Sequence, residues 1–326
     1  DSLNVYDANF SPEKHILENA ENLLRVGKQI DFGNEKIPAL EDVDLEDEIK
    51  EYVGNIDIFV AGPPCEGNSN LNNKTRRTDA RNNHYVLAAI LGAKFGAKII
   101  IIENVQTVQR AKQNVVNITK ALLSREGYKV SEHTLKAENY NVAQKRLRHF
   151  LIALKTSEVE ENIGFTNLTF EPLSALEAIS DLIGKSSKNV MDTYSKLSEE
   201  NEERINYLFD NDLYDLPNSE RPDCHKYKEH TYHHVYGRMF PEKPAYTITT
   251  GFQSPGRGRY IHPVERRGLT PREGARLQGF PDYFKWQTPL YQTAKTSITR
   301  LIGDAVPPNL GEAALLIALA SCSKLL

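Results

Sequence analysis

In the first half of the chain, short apolar runs alternate with longer stretches whose apolar positions recur every three or four residues. LNVYDANF (3–10) predicts a strand, and SPEKHILENAENLL (11–24) a helix capped by Ser11 with Pro12 at its first position. NIDIFVAG (55–62) predicts the next strand and HYVLAAILGAKFG (84–96) the next helix. AKIIIIENV (97–105) is the strongest strand signal, followed by a helix over NVVNITKALLSREG (114–127) that Gly127 stops. YKVSEHTLKA (128–137) and RLRHFLIALK (146–155) complete the strands. Ile- and Val-rich strands alternating with helices predict an α/β fold, with a mostly parallel sheet covered on both faces.

From about residue 155 the periodicity weakens and charges multiply, which predicts a second, smaller unit over 156–266. Helical patterning returns in LTPREGARLQGF (269–280), where Thr270 caps, Pro271 opens the helix and Glu273 completes a capping box. A final apolar helix is predicted over PNLGEAALLIALASCSKLL (308–326). The chain thus divides into 1–155, 156–266 and 267–326, with no internal repeat.

Length and charge change this picture little: 326 residues suffice for one large domain with an appendage, and the net charge is −4. No run approaches the roughly 18 apolar residues of a membrane span. The start, DSLNVYDANF, lacks the basic and apolar regions of a signal peptide. Three cysteines, Cys65, Cys224 and Cys322, show no CxxC spacing, so neither a disulfide framework nor a metal site is expected. A reducing compartment fits: cytoplasm, or nucleus in a eukaryote. Charge is unevenly distributed. Acid collects at 41–51, and base in KTRRTDAR (74–81), QKRLRH (144–149) and SPGRGRYIHPVERR (254–267), which makes a polyanion partner worth testing. The histidines and tyrosines of 230–263 are irregularly spaced, and packing is expected of them rather than metal binding.

Candidate chemistry centres on DIFVAGPPCEGNSN (57–70). A free cysteine is usually a small buried hydrophobe. Here Pro63 and Pro64 forbid continuation of the strand and present Cys65 on a stiff loop at a strand's carboxyl end. In open α/β sheets ligands gather there.

GPPC (62–65), ENV (103–105), QKRLR (144–148), RGLTPREGARLQGFPDYF (267–284) and IGDAVPP (302–308) follow one another in order. Together they resemble the cytosine-5 DNA methyltransferases over nearly the whole chain. The resemblance implies a doubly wound, Rossmann-like methyltransferase sheet that binds S-adenosylmethionine, with a small target-recognition domain inserted over 156–266. It implies that Cys65 adds to C6 of a flipped-out cytosine, making C5 nucleophilic. Glu103 would hold N3 and the exocyclic amine. Arg146 and Arg148, alternating along a predicted strand and so sharing a face, complete the catalytic set, with Arg148 at the cytosine O2. The cofactor positions that match are Asn9, Phe10, Asp42, Pro63, Asp304 and Ala305. Double-stranded DNA is the implied partner, contacted by Ser69, Arg81, Gln144, Thr250, Arg257 and Arg259.

The chain departs from the family pattern at several points. The family's glycine-rich first motif should precede LNVYDANF and is absent; since the missing strand would leave the sheet open at its centre, this predicts a fragment of a longer polypeptide, or a strand supplied by another chain. Glu66 and Asn68 replace the usual glutamine and phenylalanine after the cysteine, Asp304 an asparagine, and Asn9 an acid. Two further readings therefore stand beside an active enzyme: an impaired or cofactor-deficient relative that binds DNA or a partner, and an RNA cytosine methyltransferase. A cysteine hydrolase has least support, since no motif places a histidine to activate Cys65.

Overall fold

The run Ile99–Ile102 shapes the sheet-bearing part of the fold, because its four isoleucines are buried on both faces of a sheet. The computed structural model describes residues 2–26, 39–68, 75, 77–159, 169–185, 187–226, 234–288 and 293–322. In chain order the helices and strands begin with α1 (Ser2–Asn9), β1 (Leu24–Val26), β2 (Val43–Leu45), β3 (Ile58–Ala61), α2 (His84–Lys94) and β4 (Ile99–Val105). Then come α3 (Val115–Arg125), β5 (Tyr128–Lys136), β6 (Gln144–Lys145), β7 (Leu147–Lys155), α4 (Ala175–Ile179) and α5 (Glu199–Asp210). The remainder are α6 (Asp223–Lys226), β8 (Ala245–Tyr246), α7 (Pro271–Leu277), α8 (Lys295–Asp304) and α9 (Pro308–Leu319). Contacts divide the chain into one unit of residues 15–135, 147–167 and 312–326, and another of 1–14, 136–146 and 168–311.

The first unit is built on a sheet of order β3-β4-β7-β5, with β3 parallel and β7 antiparallel to β4. The α/β class is as predicted, and the sheet is mixed. Ile100, Ile102, Leu151 and Ala153 face a core shared with α2 and α3. α2 is apolar all round and buried from Tyr85 to Gly92, as a helix against a sheet must be. Gly92 permits that approach, since a Cβ there would come within 3.0 Å of Ile100 and Phe59. On the opposite face Ile99, Ile101, Phe150 and Ile152 are also buried. Each fully buried isoleucine contributes about 1.5–3 kcal/mol. No described strand pairs with the outer edge of β3, where Val60 is 66% exposed.

Behind the sheet, Tyr85 Oη lies 2.9 Å from His149 Nε2, and Glu132 is 4.0 Å from His149 Nδ1. His149 is fully buried, and burial pulls its imidazole down to about 4.

In the second unit β6 and β8 form only a two-residue parallel pair, and a polar hub ties the segments together. Gln144 accepts from the Ile248 N–H at 2.8 Å and donates to the Leu277 carbonyl at 3.0 Å and to Gln278 at 2.5 Å. Gln278 donates in turn to the carbonyls of Ile302 and Ala305. Arg146, 2% exposed, donates to the carbonyls of Ile248 (2.9 Å), Gly303 (3.1 Å) and Ala305 (2.9 Å). Gly303 allows α8 to sit on the Thr249–Thr250 backbone, because a Cβ there would lie 2.3 Å from the Thr250 nitrogen. α7 begins with the predicted capping box of Thr270 and Glu273.

Three local expectations differ. LNVYDANF is helical, as α1, rather than extended. With no described strand beside it, the segment closes its own hydrogen bonds, Phe10 N–H to Tyr6 O at 2.8 Å among them, and period two is weak evidence in so short a run. SPEKHILENAENLL gives only a 3₁₀ turn at Ala20–Leu23: Ile16, Ala20, Leu23 and Leu24 still pack on the core, but most of the stretch is exposed, Leu17 at 86%, and Leu24 already belongs to β1. The strand predicted over 146–155 breaks at Arg146, which lies between β6 and β7, so Arg146 and Arg148 do not share a strand face.

Two tests follow from these packing arrangements. The His149 imidazole titrates at 6.5 when exposed and at about 4 in the fold, so below pH 6.5 the unfolded chain binds a proton that the fold excludes. Stability is therefore intact above that pH and declines as pH falls towards 4, by up to about 1.4 kcal/mol per pH unit for this one group. Urea midpoints at pH 7 and pH 5 should converge in His149→Phe relative to wild type. Arg146→Met keeps the volume but strips three buried carbonyls of their donor, and should lower unfolding free energy by about 3 kcal/mol or more in denaturant titration.

Candidate active site

The site is assembled at the carboxyl ends of β3 and β4. Alternation along β4 sends neighbouring side chains to opposite faces. Glu103 extends the face of Ile99 and Ile101, and Asn104 extends the face of Ile100 and Ile102. Register places Glu103 opposite Phe150 and Val105 opposite Arg148, so Glu103 and Arg148 meet on a diagonal, Oε1 to Nε 3.0 Å. Both side chains are 13% exposed. Burial pulls the Arg148 guanidinium below its ordinary range, opposed by the negative charges of Glu103 and Cys65, and it remains cationic.

Asn104 does different work. It is 1% exposed, donates through Nδ2 to the Pro63 carbonyl at 3.1 Å, and accepts through Oδ1 from the Val105 N–H. The side chain after Glu103 therefore fixes the diproline segment that carries Cys65. Sequence reasoning singled out Glu103 and missed Asn104, although the two-residue period of the strand already separates them onto opposite faces.

Cys65 follows this segment, is half-buried, and starts a four-residue turn closed by Asn68 N–H to Cys65 O at 3.0 Å. Thr107 anchors the end of the turn by donating to the Asn68 carbonyl at 2.5 Å. Gly62 brings the backbone alongside Glu103, a Cβ there lying 3.9 Å from Oε2. Cys65 thus lies within the electrostatic field of Arg148 and, from the exposed side, of Arg81.

Arg81 grips Asp79 through Nε and Nη2, both at 3.0 Å. Asp79 also caps the 3₁₀ turn Ala80–Asn83 by accepting from the Arg81 N–H. The Arg81 and Thr75 hydrogen bonds hold its carboxyl well below the usual carboxylate range. Ser69 lies outside the described residues, as do Lys74 and Arg76 of the first basic cluster.

In the other unit the structure separates surface groups from internal ones. Thr250 and Arg257 are exposed, and the Arg257 stem lies over Gly251. Arg259, expected at DNA, is instead 2% exposed. Its guanidinium donates to the carbonyls of Tyr214 (2.7 Å) and Arg238 (2.8 Å), pairs with Asp215, and lies over the rings of Phe240 and Tyr246. Gln144 is likewise internal, with its amide engaged in the hub, and Arg146 donates to backbone carbonyls through its terminal nitrogens. These three hold backbone in place rather than offering themselves to substrate.

The residues expected at the cofactor fall in both units. Asn9 brackets the Lys285 backbone, donating to its carbonyl and accepting from its N–H, both at 2.8 Å. Phe10 packs on Tyr6 and Phe284 with ring centroids 4.9 and 6.3 Å apart. Asp304 is exposed, and the Ala305 carbonyl accepts from Arg146 and Gln278. Asp42 is an exposed end of the 3₁₀ turn Leu40–Asp42, and Pro63 gives its carbonyl to Asn104. Asn9 and Ala305, committed in this way, do not fit the cofactor roles expected of them, whereas Phe10, Asp42 and Asp304 stay exposed.

His262, Glu265 and Glu273 bring potential metal ligands within 4.8 Å of one another. Arg267 already spans both carboxylates, and His262 Nδ1 accepts from the N–H groups of Val264 and Glu265.

Comparison with known proteins agrees with this architecture. A family model described as C-5 cytosine-specific DNA methylase matches residues 28–316. Type II methyltransferase M1.BsuMI of Bacillus subtilis is 40% identical over 311 residues, covering 95% of this chain and 69% of that protein. Among solved structures, an E. coli prophage protein assigned as a DNA modification methyltransferase superposes with a TM-score of 0.61 at 20% identity, over 97% of this chain and 89% of that one. The Entamoeba histolytica methyltransferase EhMeth gives 0.56 at 15% identity, over 97% and 85%. The structural likenesses establish the fold. With most of the chain matched by the family model and by a relative at this identity, the chain belongs to the C-5 cytosine-specific DNA methylases, the DNA (cytosine-5-)-methyltransferases.

Proposed function

We propose that this protein methylates C5 of cytosine in duplex DNA as the modification enzyme of a restriction-modification system, through a covalent adduct between Cys65 and C6 of a flipped-out base. The observation that carries this reading is the placement of Cys65, on an anchored turn, within the field of a buried arginine that is itself paired with a carboxylate.

Each group has a part in such a reaction. Carbon 5 of cytosine is a weak nucleophile, and addition of a thiolate at C6 converts the ring to an enamine with electron density at C5. The cationic Arg148 favours the thiolate over the thiol and suits the developing charge at the cytosine O2. Glu103, held by Arg148, faces the same space and suits the N3 and amine edge, which presents hydrogen-bond donors when N3 is protonated. A stacked base exposes neither face of C6, so the target must leave the duplex. Exposed Arg81, Thr250 and Arg257 are the described side chains suited to the DNA backbone.

S-adenosylmethionine is the methyl donor that family membership implies. Asn9 and Ala305, two of the residues expected to hold it, are committed to backbone contacts. That commitment, with Glu66 and Asn68 beside the nucleophile, supports the second reading: a relative that binds DNA without transferring methyl.

Transfer of labelled methyl from S-adenosylmethionine to mixed-sequence duplex DNA separates the two. The enzyme should deposit label as 5-methylcytosine, and Cys65→Ala should lower the rate by at least about a thousandfold while leaving DNA affinity within a few fold. A folded protein that binds DNA and transfers nothing would establish the second reading. Arg257→Ala should weaken binding and reduce the salt slope of log affinity by about one. An unchanged slope would remove that residue from the interface.

A further inference from the structure

The turn that carries Cys65 also carries an acid pointed at an arginine. Cys65–Asn68 is a hydrogen-bonded turn with Glu66 and Gly67 at its centre. Its position is fixed from three sides. Asn104 holds the Pro63 carbonyl, Thr107 holds the Asn68 carbonyl, and Gly67 packs so closely on the 79–82 segment that a Cβ would lie 2.7 Å from Asp79 Cβ and 2.2 Å from Asn82 Oδ1. Glu66 therefore stands where Arg81 is.

The guanidinium of Arg81 has two usable edges. Nε and Nη2 are committed to Asp79, which cannot easily release them, since it also caps the following turn and accepts from Thr75 Oγ1 at 2.8 Å. Nη1 belongs to the remaining edge, and Glu66 Oε2 lies 3.8 Å from it. That separation is too long for a direct hydrogen bond and short enough for attraction. Both side chains are largely solvent-exposed, 49% and 62%, so the contact is one that a competing oxyanion displaces.

Resting on the reading of this protein as a DNA methyltransferase, we propose that Glu66 is an internal stand-in for a DNA phosphate: its carboxylate occupies the free edge of Arg81 and must be displaced when a strand enters beside Cys65. An incoming phosphodiester then meets both a neutralised arginine and a like charge. Removing the charge of Glu66 frees Nη1 without touching the Asp79 grip that shapes the turn. The consequence is a threshold. Weak, non-specific encounters fail to seat the strand at the nucleophile, and only a duplex held elsewhere as well supplies enough attraction to displace the carboxylate.

The experiment is a double-mutant cycle on binding of a labelled mixed-sequence duplex, using wild type, Glu66→Gln, Arg81→Gln and the double variant at about 50 mM and about 200 mM salt. Glu66→Gln should bind roughly three- to tenfold more tightly at the lower salt, with a smaller gain at the higher. The gain should vanish in the Arg81→Gln background. Unfolding midpoints show that all four proteins are folded: Glu66→Gln should match wild type, whereas the two proteins carrying Arg81→Gln should lie somewhat lower because Asp79 loses its partner. Unchanged or weaker binding by Glu66→Gln overturns the inference. So does a gain that persists without Arg81, since Glu66 would then act by bulk repulsion alone. Failure of wild type to bind duplex DNA at all would sink the functional reading and this inference together, whereas binding without coupling sinks only the inference.

Discussion

The alternation of β4 at its carboxyl end is the constraint from which the catalytic arrangement follows. Four isoleucines buried on both faces would by themselves tolerate a slip by one residue, so register is fixed where the run ends: a slip would exchange the faces of Glu103 and Asn104 and break both of their contacts. Once register is set, Glu103 and Asn104 must diverge, one towards Arg148 and the other towards the Pro63 carbonyl. The strand thus orients the carboxylate and holds the nucleophile's loop with consecutive side chains. Neither contact is strong by itself in water. Their precision comes from the packing beneath them.

The second unit shows a different solution to the same problem. Instead of a wide sheet, it uses three long polar side chains, Gln144, Arg146 and Gln278, whose donors satisfy carbonyls of segments far apart in sequence. Such a hub is favourable only when every member finds partners, because a partly satisfied network leaves buried dipoles without water. Glu273 and Arg267 repeat the principle at the start of α7, where the helix cap and an ion pair share one carboxylate.

Much of this was legible in the sequence wherever periodicity was long and unambiguous. The strands around Ile58–Ala61 and Ile99–Val105, the helices at His84–Lys94 and Val115–Arg125, and the capping box at Thr270 all lie where the pattern puts them. Residues 3–24 differ from the pattern, because a short alternating run fits helix and strand alike, and four apolar residues on the core do not hold a helix whose other positions are mostly exposed. Burial of charge was also invisible. Arg259 and Arg257 look equivalent in GRGR, yet one is enclosed by carbonyls and aromatic rings from distant segments and the other is exposed. Candidate chemistry at Cys65, Glu103 and Arg148 was suggested by motif order. The supporting roles of Asn104 and Asp79 depend on backbone partners that no local pattern announces.

The hub around Arg146 has an evolutionary corollary. Its donors recognise main-chain oxygens of Ile248, Leu277, Ile302, Gly303 and Ala305, and the oxygen of a peptide is the same whatever side chain is attached. Apart from Gly303, where a Cβ would strike the Thr250 backbone, selection can therefore exchange those side chains while the framework stays put. The neighbouring exposed positions, Thr250 and Arg257, are free to drift on an unmoving backbone. A scaffold fastened by peptide groups lets the outward surface change without renegotiating the interior, which is the property a family needs if its members are to diverge in what they recognise.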